Sequence, residues 1–254
     1  MNRHFETTGP IALYVEIGKG RVRIIAGDTT DTSVDVEGQD ADDVDVSFDS
    51  GRLSVVGPKL DGWFGKSRDL DVTVQLPTDS DVAVKTGSAD IEVSGQVKDA
   101  RLKTGSGDVA ADTFSGSALL ETGSGDVEVS EAHAELNVKS GSGDVSVGTC
   151  LGSLQVSTGS GDVEIGTSNA RAVVKTGSGD LTIGTARRGK VSAKGASSDV
   201  LIGIPAGTPV WADINTVTGS IKSDLDSVGA PQEGQDHIEL QARTVSGDIL
   251  LRRV

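Results

Sequence analysis

Six aspartates stand 18 residues apart: Asp90, Asp108, Asp126, Asp144, Asp162 and Asp180. A fold that stacked them would make a column of carboxylates, and two kinds of chemistry follow. A carboxylate beside a glycine-rich turn accepts backbone N–H groups and caps the turn. A column of carboxylates offers oxygens to Ca²⁺, which takes six to eight of them. Stacked strands lie about 4.8 Å apart, and unit charges at that spacing repel by about 1 kcal/mol in water. Either chemistry has to offset that repulsion.

Each aspartate closes the same motif. Thr86-Gly87-Ser88-Ala89-Asp90-Ile91 is followed by near-identical copies at 104–109, 122–127, 140–145, 158–163 and 176–181, with Thr-Gly-Ser-Gly-Asp-Val as the consensus. A fixed period in this range marks a repeat architecture, in which each unit packs on its neighbours. Numbered from the Thr or Ser, four positions are mostly apolar. The sixth holds Ile91, Val109, Val127, Val145, Val163 and Leu181, and the eighth Val93, Ala111, Val129, Val147, Ile165 and Ile183. The fifteenth holds Ala100, Ala118, Leu136, Leu154 and Ala172, and the seventeenth Leu102, Leu120, Val138, Val156 and Val174. A spacing of two within each pair is β alternation. Each unit therefore reads as strand, turn, strand, turn around one interior. The fold expected is all-β: a β-solenoid, or single-stranded β-helix, of about 18-residue rungs with irregular capping strands at both ends.

Three parts follow along the chain. Residues 1–85 alternate less regularly and read as the N-terminal, capping part of the solenoid; 86–194 are the regular repeats; 195–254 are irregular rungs and a cap. The unit ending at Lys194 runs one residue long, with Val191 and Ala193 in the last two core columns. An open solenoid end exposes unpaired backbone, so irregular terminal units are expected. Trp63 and Phe64 lie between Pro58 and Pro77, beside Lys66 and Arg68, in a chain that is 3% aromatic. Aromatic loop residues are enriched at interfaces, which makes this pair the candidate partner-binding site; plugging the solenoid end is its other reading. Trp211 alternates with Val210 and Ala212 and reads as a strand residue near the C-terminal cap.

No catalytic centre assembles from the remaining residues. His4, His133 and His237 are far apart, and none has a second His or Cys at zinc-ligand spacing. The Gly-Ser-Gly serines are turn residues repeated six times over, with no histidine assigned to them. Gly65-Lys66-Ser67 lacks the P-loop glycine five residues earlier, where Leu60 stands. A polysaccharide-cleaving β-helix enzyme would need clustered carboxylates in a groove, and only the Asp column resembles that. No enzyme activity and no cofactor are expected, with Ca²⁺ the one candidate ion. The calcium-binding nonapeptide β-roll repeats carry Gly-Gly-x-Gly-x-Asp, whereas here Asp follows Gly directly and the opposite turn has no matching motif.

Composition narrows the partners. The formal net charge is -15, with Asp and Glu outnumbering Lys and Arg 38 to 23. That argues against nucleic acid, whose phosphates need clustered cations, and against anionic membrane surfaces. A single cysteine, Cys150, excludes an internal disulfide framework. No apolar run approaches the roughly 20 residues that span a bilayer, and residues 1–6 show no signal-peptide core. A cytoplasmic location is expected on these grounds. A protein partner is expected, with end-to-end self-assembly where the caps are incomplete.

The Thr-Gly-Ser-Gly-Asp-Val run resembles the bacterial "putative adhesin" family, a domain of unknown function built from β-strand repeats. The N-terminal part is similar too, in Gly20-Arg21-Val22-Arg23-Ile24, in the strand 53–59 ending Gly-Pro-Lys, and in 72–77 ending Leu-Pro. The resemblance covers nearly the whole chain. It implies a β-solenoid with no catalytic residues to carry over, and a link to cell-envelope function or stress regulation. The function expected is that of a non-enzymatic interaction or scaffold protein, with a calcium-binding repeat module and a surface adhesin as alternatives.

Overall fold

The computed structural model describes residues 1–58, 69–225 and 234–254. Trp63 and Phe64 lie outside the described residues. The chain forms two units, Met1–Val127 and Glu128–Val254. Both are β-solenoid stacks, and the one helical piece among the described residues is the short 3-10 turn Ala41–Asp43.

In the second unit, parallel strands stack in register at the repeat spacing. Leu136 lies on Leu154, Leu154 on Ala172, and Ala172 on Val191. The second strand of each rung does the same, with Val145 on Val163, Val163 on Leu181 and Leu181 on Val200. Because β side chains alternate with period two, a slip of one residue would turn every aliphatic outward, so the buried face fixes the register. The one-residue excess before Lys194 is absorbed in the turn between Leu181–Ala186 and Gly189–Ser197. Gly189 takes it up at φ +87, a conformation that a side chain would strain. Beyond this rung the spatial order departs from the chain order. Ile238–Ser246 stacks on Gly189–Ser197, and Val210–Thr218 then stacks on Ile238–Ser246. Residues 210–223 are thus the outer rung of the stack. Its inward positions are poorly covered: Ala212 is exposed and Ile221 is 47% exposed.

The first unit is built on the long strand Ala12–Gly27, which supplies both strands of one rung. Asp81–Val97 lies along one side of it, with Leu13 on Val82 and Val22 on Ile91. Arg52–Val56 and Asp69–Pro77 lie along the other side. From there outward the pairing becomes antiparallel. Asp45–Asp49 folds back on Arg52–Val56 through Ser50 and Gly51, while Asp31–Glu37 and then Asn2–Glu6 continue from Asp69–Pro77. Phe5 and Phe48 meet across this end with ring centroids 5.1 Å apart. A change of strand direction blunts the edge of a parallel stack, because the outermost strands no longer present the repeat's register.

The interior holds more than the four aliphatic columns. The eleventh repeat position is also buried, by Phe114 in the first unit and by Ala132, Cys150, Ser168 and Ala186 in the second. Cys150 ends the strand Val145–Cys150, and burial pushes its thiol up to about 11. The leading Thr is buried as well, and at two rungs of the first unit it works as a staple, whereas Thr158 and Thr176 donate to Ser160 and Ser178 carbonyls in their own turns. Thr104 Oγ1 donates to the Ala89 carbonyl at 3.1 Å and accepts Gly107 N–H at 3.0 Å; Thr122 repeats this with Gly107 and Gly125.

Leu154→Ala should cost about 2–5 kcal/mol in urea unfolding, since it opens a void between two rungs. Gly161→Ala should cost about 1–3 kcal/mol through backbone strain, because Gly161 sits at φ +136 and a Cβ there would stand 2.2 Å from the Gly143 carbonyl oxygen. Equal stability of the glycine variant and the wild type would show that the turn does not fix the rung spacing.

Candidate functional site

The carboxylates do stack, and each is used by its neighbour. In the first unit Asp90 Oδ1 accepts the Asp108 backbone N–H at 3.1 Å, and Asp108 Oδ1 accepts that of Asp126 at 2.9 Å. In the second unit Asp144 accepts from Asp162 at 2.8 Å and Asp162 from Asp180 at 2.7 Å. There the ladder runs past the regular repeats, from Asp180 to Asp199, from Asp199 to Asp248, and from Asp248 to Ser220. Its order 180, 199, 248, 220 traces the reordered rungs. The aspartate thus caps the next rung: one oxygen takes a backbone N–H that the turn leaves outside the strand ladder. Among the described residues, no group of three or more His, Cys, Asp or Glu side chains gathers in a geometry that could hold a metal ion.

The bond has an electrostatic signature where the ladder ends. The Ser220 N–H holds the Asp248 carboxyl below the usual carboxylate value. In the first unit, Ser115 Oγ and Gln96 Nε2, at 2.6 and 2.9 Å, do the same for Asp79. The histidines contribute local contacts only: His4 Nδ1 lies 2.9 Å from Asp31 and His133 Nε2 3.2 Å from Glu131.

Trp211 is the residue whose role the sequence reading missed. It lies in a strand, as expected, but points outward and is 82% exposed. The signal was present in its parity: Val210 and Ala212 occupy core-facing register positions, opposite Ile238 and Leu240, so the residue between them must face out. Beside it lies an open depression of about 430 Å³, lined by Lys190, Ala212, Asp213, Glu239, Leu240 and Gln241. Arg243 Nη2 sits 2.8 Å from Asp213 Oδ2 and, with Gln241, holds that carboxyl below its ordinary range.

Two tests follow from the ladder. Asp162→Asn keeps an acceptor oxygen and removes a like charge, so its melting temperature should stay close to wild type, while Asp162→Ala should fall several degrees. Equal melts for the two variants would remove the hydrogen bond from the account. The same melts with EDTA and with millimolar Ca²⁺ should coincide, and a sharp rise with Ca²⁺ would assign the outer oxygens to a metal. The second test concerns pH. A depressed carboxyl contributes stability that is complete above its unfolded value, 3.8, and is lost as pH falls through the lower folded value. Asp248→Asn should therefore flatten the acid limb of stability against pH below 3.8. An unchanged limb would sink this assignment.

Comparison with known proteins places these features. The family model described as Toastrack DUF4097 matches residues 11–252. No curated protein matches the chain. Among solved structures, the fold is similar to that of a "putative adhesin" from Bacteroides fragilis, with TM-score 0.52, 15% identity, and 99% of this chain and 96% of that one covered. Two further matches are a "putative lipid binding protein" from Parabacteroides distasonis, with TM-score 0.43, 12% identity and coverage of 99% and 96%, and a "putative cell adhesion protein" from Clostridium sporogenes, with TM-score 0.26, 11% identity and coverage of 100% and 99%. The cytoplasmic location expected from the sequence is corrected by the Bacteroides fragilis structure, whose name, putative adhesin, belongs to adhesion at cell surfaces. No helix among the described residues is long and apolar enough to cross a membrane, which assigns no location. Matched from residue 11 to residue 252, the chain is a member of the Toastrack DUF4097 family.

Proposed function

We propose that this protein is a non-enzymatic interaction module of the cell envelope, whose outward-facing side chains, repeated rung by rung, engage an extended partner. The observation that carries the reading is the in-register stacking itself. It converts each outward repeat position into a row of side chains at a fixed step of about 4.8 Å. On the first-strand sheet of the second unit, one such row contains Lys139, Ser157, Lys175, Lys194 and Arg243. The turns of the same rungs carry the Asp ladder. A chain of net charge -15 thus presents a local cationic strip. The name of the Bacteroides fragilis relative agrees with an adhesive role.

The test is retention of purified protein on bacterial envelope fragments. Wild type should be retained, and the double variant Lys175→Glu/Lys194→Glu, whose exposed positions leave the core untouched, should be retained several-fold less at an unchanged melting temperature. No retention of wild type would overturn the reading, as would turnover of an envelope component by the protein.

A further inference from the structure

The cationic row has a neighbour. Four residues earlier along the strands, about 13 Å at 3.3 Å per residue, runs a second row formed by Lys190, Glu239 and Trp211. It ends on the outer rung with the indole of Trp211 almost fully exposed. The depression beside that indole has a rim whose charges are already matched. Lys190 Nζ lies 3.9 Å from Glu239 Oε2, and Arg243 Nη2 lies 2.8 Å from Asp213 Oδ2. Gln241 Nε2 donates to Asp213 at 3.2 Å, which leaves its Oε1 available to accept. Lys175 and Lys194, by contrast, are exposed and form no ion pair among the described residues.

We propose that this face of the second unit binds an acidic polysaccharide, with one sugar ring stacked on Trp211 in the depression and the polymer's anionic groups on Lys194 and Lys175. This names the partner of the surface described under Proposed function and rests on that reading. Each part of the ligand matches something present. An indole face offers a large, rigid apolar platform with a polar edge, suited to the CH-lined face of a sugar ring. The carboxylates and the side-chain amide oxygen beside it can accept hydrogen bonds donated by ring hydroxyls. The unpaired lysines supply the charge complementarity that a neutral glycan would leave unused. One charge per sugar is also a lower line charge than a nucleic-acid duplex, with about one per 1.7 Å, and so is less opposed by the acidic remainder of the chain.

Calorimetric titration of the full chain tests this with three probes: polygalacturonate oligosaccharides, neutral maltooligosaccharides of equal length, and polyglutamate. Polygalacturonate should bind, more weakly as salt is raised. Trp211→Ala should weaken it at least about tenfold, Trp211→Phe should restore most of the loss, and Lys175→Glu/Lys194→Glu should weaken it comparably and remove most of the salt dependence. Absence of polygalacturonate binding would overturn the proposal. So would equal affinity for polyglutamate, for the neutral oligosaccharide, or for polygalacturonate in Trp211→Ala. Sedimentation showing Trp211-dependent self-association without sugar would overturn it in favour of a second copy on this edge. Wild-type retention on envelope fragments, lost in the lysine double variant, together with no polygalacturonate binding, would sink this inference and leave the broader reading standing.

Discussion

A parallel stack in register allows each rung one length. If a rung closes in 18 residues, Leu154 meets Leu136, Asp162 N–H meets Asp144 Oδ1, and the buried Thr column meets itself. If it closes in 19 with no turn to absorb the excess, side chains change face and the core is lost. The Gly-Asp pair, present in every regular repeat but the first, where Ala89 precedes Asp90, enforces this closure from two directions. The glycine lets the backbone approach the carbonyl of the rung before it more closely than any Cβ would allow, and the carboxylate then ties the two rungs by a side-chain bond. Aliphatic burial supplies the driving force, but the turn sets where the force is applied.

This division explains how much of the molecule was legible in its sequence. The rung length, the two strands per rung and the aliphatic columns follow from periodicity, and they are all present. The aspartates were legible as a column, and turn capping was one of their two readings, but their bond turned out to join neighbouring rungs rather than close one turn. Nothing in the spacing of a single repeat could separate those geometries, because both place the same oxygen near a backbone N–H. The Thr staple was missed for a related reason. A threonine beside two glycines reads as turn chemistry, whereas burial of Thr104 and its bond to Ala89 O depend on the adjacent rung.

The outer rungs were the least legible part. Repeat counting assumes that chain order equals spatial order, and it fails at both ends. Ala12–Gly27 lies between strands that follow it in sequence, and Ile238–Ser246 lies between strands that precede it. No local pattern encodes which of two equivalent rungs docks first. The exposure of Trp211 follows from that placement: parity put its side chain outward, but only the rung order put it at an edge, with a depression beside it rather than another row of side chains.

The inserted rung also bears on how the second unit is made. During synthesis, residues 210–223 emerge well before residues 238–253, yet the strand Val210–Thr218 takes its parallel partner from Ile238–Ser246. Chains leave the ribosome at about 5–20 residues per second, so for a second or more the future outer rung has no surface on which to dock. Vectorial growth, which suits a solenoid everywhere that order is sequential, is interrupted here. The strand made later does not extend the stack; it completes it from within.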